Sequence, residues 1–328
     1  MINYEKRYSG YKDLVNTKLE SFILKKFPAG IYDPLKYILS GGGKRIRPVL
    51  LILCCEAAEG KAKDALNAAL AVETLHNFTL IHDDIMDNAD TRRGKQTIHK
   101  KWDRDTAILS GDALLGLAYE SLLKTRSSRI GEIAEIFNKG IIEVCEGQSY
   151  DKEFELKKKV SLEEYIMMIN KKTSQLLVCC AKIGVLIGNG KKRLLEAIGN
   201  YALNLGLAFQ IQDDLLDVFA DEKKFGKKIG GDIREGKKTY LLLKGLETVK
   251  EKKEKSLLES IITNKGLKKE SDILAVKNIY ERYGIIDSAT KEVEMYTNKA
   301  NSYLQKIKNK NSRLMLSWFS YMLLNRNM

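Results

Sequence analysis

Residues 73–99, ETLHNFTLIHDDIMDNADTRRGKQTIH, begin as an apolar pattern at helical spacing and pass into a run of carboxylates and then of arginines. Val72, Leu75, Phe78, Leu80, Ile81 and Ile85 recur with the helical period, and neither Pro nor Gly interrupts them, so an amphipathic or buried helix is the simplest reading. On such a helix Asp83 and Asp87 stand four residues apart, which puts both carboxylates on one face at about 5–6 Å. Two anions that close repel unless a cation lies between them. Mg2+ prefers hard oxygen ligands, keeps several waters and shares substrate phosphates, so DDIMD reads as half of a magnesium-diphosphate site. Arg92 and Arg93 follow directly, with planar forks that match phosphate oxygens. A lone DDxxD is also what a solvated helix end looks like. A second copy, Asp213, Asp214 and Asp217 in FQIQDDLLD, again follows a helical apolar run, and the repetition favours metal binding.

Around this stretch, 328 residues at 44% hydrophobic content are ample for a buried core. Pro28, Pro34 and Pro48 are the only prolines, and no linker or hairpin series breaks the helical patterns, so one all-α domain over residues 1–328 is expected. A net charge of +13 suits nucleic acid, an anionic membrane or small polyphosphate substrates. Much of it is scattered through stretches such as residues 291–313, where solvated helix faces explain it, and no basic, aromatic-interleaved motif appears, which disfavours nucleic acid. Cys54-Cys55 and Cys179-Cys180 lie in apolar runs without CxxC spacing and read as buried thiols of a reducing compartment. His76, His82 and His99, the only histidines, offer no zinc-type spacing. The polar N-terminal stretch lacks a signal-type apolar core and the longest apolar runs are too short to span a bilayer, so a cytoplasmic protein without a membrane anchor is expected.

Residues 4–27 read as a first amphipathic helix ending near Pro28-Ala29-Gly30, and a loop leads from there to SGGGKRIRPVL at 40–50. Gly41, Gly42 and Gly43 let backbone approach closely, while Lys44 and Arg47 open the next helical run with Pro48 near its first turn. A helix N-terminus carrying Lys and Arg is suited to a diphosphate.

GGGKRIRP, ETLHNFTLIHDDIMDNADTRRG, SGDALL, KTSQLL, FQIQDDLLD and GDIREGKKT occur in that order over roughly residues 35–245. Together they resemble the trans-polyprenyl diphosphate synthase family, most of all archaeal-type short-chain geranylgeranyl diphosphate synthases. The resemblance implies a bundle of ten or more helices around a deep central cavity, a homodimer, and head-to-tail condensation of isopentenyl diphosphate with an allylic diphosphate. Lys44, Arg47, His76 and Arg93 match the family's isopentenyl diphosphate ligands, and Arg92 a contact to the allylic diphosphate. Asp83, Asp87 and Asp213 match carboxylates that bind three Mg2+ through the allylic diphosphate, and Asp84, Asp214 and Asp217 complete or support those clusters. Lys172 or its neighbour Lys171, with Thr173, resembles the KT pair, and Gln210 the glutamine beside the second motif. Lys227 (or Lys228) and Lys237 resemble two lysines that close over the diphosphate; the spacing favours Lys172 and Lys227.

A diphosphate leaves an allylic carbon once Mg2+, Arg and Lys neutralise the charge developing on it. The remaining cation needs a dry, apolar cavity until the isopentenyl double bond attacks. Thr173 and Gln210 offer oxygen dipoles towards it, and the departed diphosphate is the base the resemblance implies. Plainer readings accompany several residues. His76 on an apolar helix would by itself be a core histidine, and only its place in ETLH reverses that. Lys223 and Lys224 read as solvated loop, Asp112 as a helix cap, and Gln148 and Asp151 as support around the site.

In the family, the fourth and fifth positions before the first motif help set the product-cavity floor; here they are Thr79 and Phe78. A helical wheel puts Thr79 about 40° from Asp83 but Phe78 about 140° away, so the wheel alone does not explain Phe78. By resemblance, an aromatic fifth and a small fourth residue imply a C20 product, with C15 or longer chains as alternatives. A terpene cyclase would have no use for the GGGKR site, and a silent partner subunit should have lost aspartates or the basic pair, none of which is missing.

Overall fold

The structure, a computed structural model, describes residues 3–22, 27–219 and 230–324. Helices dominate it, and backbone proximity groups them into two units.

The first unit comprises Met1–Lys139, Cys179–Gly199 and Lys306–Leu316. Its centre is α4 (Ala62–Met86), whose Ala65, Ala68, Ala69 and Ala71 are buried together with Leu70, Val72, Leu75, Phe78 and Ile81. Alanines on several faces let neighbouring helices approach closely, and α3 (Ile46–Ala57) and α6 (Arg104–Leu123) pack against it. In α3 every side chain from Pro48 to Cys55 is buried. Asp103 caps α6 by accepting from the Thr106 amide at 2.7 Å, so Asp112, well inside that helix, is not the cap the sequence suggested. The first helix, α1, runs Tyr4–Phe22, with 23–26 outside the described residues. The segment expected as loop after Pro28 is instead α2 (Ala29–Leu39). Pro34 lies in its second turn and forfeits one backbone bond, while burial of Leu35 and Leu39 and packing on α6 outweigh that loss.

Between α4 and α5 (Ile98–Lys101) the chain makes a two-stranded hairpin, β1 (Thr91–Arg92) with β2 (Lys95–Gln96), pairing Thr91 with Gln96 and Arg92 with Lys95. Its loop residues Arg93 and Gly94 have φ of 53° and 73°, the pair of positive angles a two-residue hairpin turn requires. No hairpin was expected from the sequence, since two-residue strands leave no alternation to read.

The second unit comprises Gly140–Val178, Asn200–Gln305 and Ser317–Met328. It takes in most of α7 (Ile130–Leu156), all of α8 (Leu162–Ile169) and much of α10 (Lys192–Phe219). A capping box starts α8: the Glu164 amide donates to Ser161 Oγ, and the Ser161 amide to Glu164 Oε2. One π-helical turn, Asn170–Ser174, separates α8 from α9 (Gln175–Ile187). The helix Tyr240–Thr248 packs against α8 and against the helices Lys252–Thr263 and Ile285–Tyr303. Among the described residues no helix is long and apolar enough to cross a membrane.

Candidate active site

The first aspartate motif closes α4. Asp83 is half-buried, Asp87 is exposed at the C-cap and donates its amide to Asp83 O at 2.8 Å, and Asp84 points inward at 3% exposure. Burial raises the Asp84 carboxyl, while the adjacent Arg92 guanidinium pulls it back down. The hairpin supplies that guanidinium, with Arg92 Nε donating to Asp84 Oδ1 at 2.6 Å.

On the same helix, seven residues before Asp83, His76 meets the GGGKR segment. Arg47 Nη1 donates to His76 Nε2 at 3.1 Å. Arg has no lone pair to offer, so Nε2 must be the acceptor and the imidazole is neutral with its proton on Nδ1. Burial, and then the charges of Arg47, Arg93, Arg92 and Arg45, hold the His76 pKa well below its ordinary value. Arg93 Nη1 donates to Gly42 O at 2.7 Å, and a Cβ on Gly43, whose φ is 138°, would sit 3.1 Å from that guanidinium. Glycine here lets the loop and Arg93 meet. Lys44 is exposed at the same loop. The structure thus gathers Arg47, His76 and Arg93 around one loop that also carries Lys44, an arrangement that favours a bound anion.

In the second unit, Asp214 is the buried member of the second motif. Asp214 Oδ2 accepts from Tyr165 Oη at 2.5 Å and from the Tyr240 amide at 3.0 Å, and Oδ1 accepts from Gln210 Nε2 at 3.2 Å. Burial lifts its carboxyl to about 6 despite these donors. Gln210 Oε1 in turn accepts from Thr173 Oγ1 at 2.9 Å, so Thr173, Gln210, Asp214 and Tyr165 form one chain of hydrogen bonds. The π turn brings Thr173 to this chain, and Gly147 makes room for it, since a Cβ there would lie 2.2 Å from Lys172 N. Lys172 pairs with Asp151, and Lys171 is held between Glu143 and Glu146 at 2.6 Å each. Asp213 and Asp217 are half-buried, and Asp217 Oδ2 accepts from the Asp232 amide at 2.8 Å. Lys237 lies 2.8 Å from Glu235 and 3.8 Å from Asp232. Lys223, Lys224, Lys227 and Lys228 lie outside the described residues.

Phe78 is 8% exposed and its ring lies 4.6 Å from that of His82. Thr79 Oγ1 donates to His76 O at 2.9 Å, which uses its hydroxyl within the helix. Gly111 on α6 accommodates His82, because a Cβ there would stand 2.2 Å from His82 Nε2.

Both motifs divide their carboxylates in the same way. Asp84 and Asp214 turn into protein hydrogen bonds, while Asp83, Asp87, Asp213 and Asp217 keep access to solvent. One or two carboxylates, completed by water and phosphate oxygens, are the donor set Mg2+ takes. Among the described residues no three His, Cys, Asp or Glu side chains converge into the closed cage that a structural zinc uses. No local pattern points to Tyr165, Arg45 or Glu73, whose partners lie far along the chain. Arg45 was visible only as one basic residue among three.

A family model described as polyprenyl synthetase matches residues 28–283. The short chain isoprenyl diphosphate synthase of Methanocaldococcus jannaschii is 46% identical over 241 residues, 73% of either chain. The geranylgeranyl diphosphate synthase of Sulfolobus acidocaldarius is 36% identical over 314 residues, 94% of either chain. The crystal structure of geranylgeranyl pyrophosphate synthetase from Pyrococcus horikoshii superposes with a TM-score of 0.92 at 35% identity, covering 99% of this chain and 100% of that one. With its basic loop, its paired aspartate motifs and this breadth of likeness, the chain belongs to the polyprenyl synthetase family.

Proposed function

We propose that the chain is a trans-prenyltransferase of one synthase domain that condenses isopentenyl diphosphate head-to-tail with allylic diphosphates, with geranylgeranyl diphosphate (C20) as its main product. The observation that carries this reading is on α4. His76, paired with Arg47, and Asp83 are seven residues apart on one helix, about 10 Å along its axis. A cationic anion site and a magnesium-type carboxylate site so close together serve an enzyme that handles two diphosphates.

In this reading Asp83, Asp87, Asp213 and Asp217 hold Mg2+, three ions per site by family likeness, and the metal supplies neutralising charge to the departing diphosphate. Arg92, fixed by Asp84, presents its Nη groups to the allylic diphosphate, and by family likeness alone Lys172, Lys237 and Lys227, the last outside the described residues, are assigned to the same diphosphate. Lys44, Arg47, His76 and Arg93 hold isopentenyl diphosphate. Thr173 donates its proton to Gln210, so the hydroxyl oxygen keeps its lone pairs for a neighbouring cationic carbon. Phe78 and Thr79 limit chain growth.

A homodimer is part of the proposal by family likeness; Leu109 and Leu123 on α6, 55% and 62% exposed, are apolar side chains that a second copy would cover. So is the cytoplasm as its compartment, where thiols such as Cys54, Cys55 and Cys180 stay reduced. The test is diphosphate release from geranyl diphosphate and Mg2+ with and without isopentenyl diphosphate. Release that depends on isopentenyl diphosphate is expected; equal release without it would indicate a cyclase.

A further inference from the structure

We infer that Arg45 and Glu73, which touch no substrate in the reading above, are positioning residues for the isopentenyl diphosphate site. The inference rests on that reading and adds the device that gives the basic loop its shape.

Within KRIR, Lys44 is exposed and Arg47 half-buried, but Arg45 between them is 4% exposed. Its guanidinium is divided among three elements. Nη1 donates to Glu73 Oε1 on α4 at 2.6 Å, Nε to Asn16 Oδ1 on α1 at 2.8 Å, and Nη2 to Leu39 O at the end of α2 at 3.1 Å. Glu73 is 2% exposed and lies one helical turn before His76 on α4. The ion pair therefore ties the loop to the same helix face that offers His76 to Arg47. Tyr8 Oη from α1 adds a further bond, to Lys44 O.

The backbone of Arg45 has φ 51° and ψ 37°, the left-handed region that a glycine adopts without strain. An arginine held there is retained for its side chain. A buried ion pair is also no efficient source of stability, since an apolar pair of similar volume often stabilises as well. What the pair does uniquely is fix the turn from which Lys44 and Arg47 diverge. The planar fork spreads its donors over three nitrogens, Nε, Nη1 and Nη2, each serving a different element, whereas a lysine concentrates its three donors on one nitrogen.

Isopentenyl diphosphate has no allylic partner when added alone, so its binding can be titrated calorimetrically in EDTA without turnover. The variants are the apolar double replacement Arg45→Met/Glu73→Leu and the single Arg45→Lys, each checked for its melting temperature. Both should bind isopentenyl diphosphate at least about tenfold more weakly, the scale on which small misplacements act. In the steady state their KM for isopentenyl diphosphate should rise while KM for the allylic substrate stays within about twofold. Asn16→Ala leaves the ion pair in place and decides the matter should the pair variants fail to fold; its binding should weaken about threefold. Wild-type affinity in these variants, or equal loss for both substrates, would overturn the inference. A wild-type protein that does not bind isopentenyl diphosphate would instead remove the reading on which it rests.

Discussion

Asp84 and Arg92 lie eight residues apart along the chain and 2.6 Å apart in space, joined through Asp84 Oδ1 and Arg92 Nε. The bond occupies one edge of the guanidinium and fixes the plane in which its Nη groups project. The second residue of the first motif therefore acts on an arginine, while the first and fifth residues keep solvent access.

This division of labour separates two replacements. Asp84→Asn should lower kcat by about 10- to 100-fold, the equivalent of about 1.5–3 kcal/mol for a charge-assisted bond, with little change in the Mg2+ concentration for half-maximal rate. Asp83→Asn should move that Mg2+ requirement upward. Magnesium titrations of both variants check this, and an equal shift in the two would contradict it.

Tyr165 makes a pH-dependent contribution. Its hydroxyl donates to Asp214, whose carboxyl is held at about 6 against an ordinary 3.8. A raised carboxyl favours folding fully below the ordinary value, and that advantage disappears as pH rises through about 6. Above 6 the buried carboxylate depends on its donors, so Tyr165→Phe should cost about 1–3 kcal/mol at pH 7.5 and clearly less at pH 5. Denaturant melts in EDTA at the two pH values measure the difference. An equal loss at both would show that Tyr165 serves packing alone.

What the sequence disclosed and what it withheld divide along physical lines. The α4 pattern from Val72 to Ile85 was legible because helical periodicity is local, and Asp83 with Asp87 followed from spacing on that helix. Arg45 and Glu73 stand 28 residues apart, Tyr165 and Asp214 stand 49 apart, and nothing in either local pattern announces such a partner. The helix α2 was concealed by Ala29-Gly30 and Pro34, whose local cost tertiary burial of Leu35 overrides. The π turn at Asn170–Ser174 adds a single residue to a helical repeat, too small a phase change to read without coordinates.

Product length should respond to residues around Phe78 as well as to Phe78 itself. Phe78→Ala should lengthen the main product beyond C20. Gly111→Ala forces a Cβ to 2.2 Å from His82 Nε2, so the His82 ring must leave its place 4.6 Å from Phe78. A changed chain-length distribution in Gly111→Ala is the expected outcome by chromatography of the dephosphorylated products. An unchanged distribution in both variants would remove Phe78 from the floor of the cavity.

His76 should leave a mark on acid stability. Burial and the surrounding arginines keep it neutral in the folded chain well below 6.5, whereas the unfolded chain takes up the proton near 6.5. Stability from this group is thus complete above 6.5 and falls as pH drops below it. His76→Gln should flatten the wild-type decline between pH 6.5 and 5 in urea melts and raise KM for isopentenyl diphosphate. A decline as steep as that of the wild type would show that His76 takes up its proton in the folded chain too.

The product profile after incubation with isopentenyl diphosphate and, in turn, dimethylallyl, geranyl and farnesyl diphosphates, with Mg2+ and with EDTA, tests the proposed condensation and its product length together. A C20 diphosphate as the main product, formed only with Mg2+, is expected; no condensation from any of the three primers would rule out a prenyl-elongating enzyme.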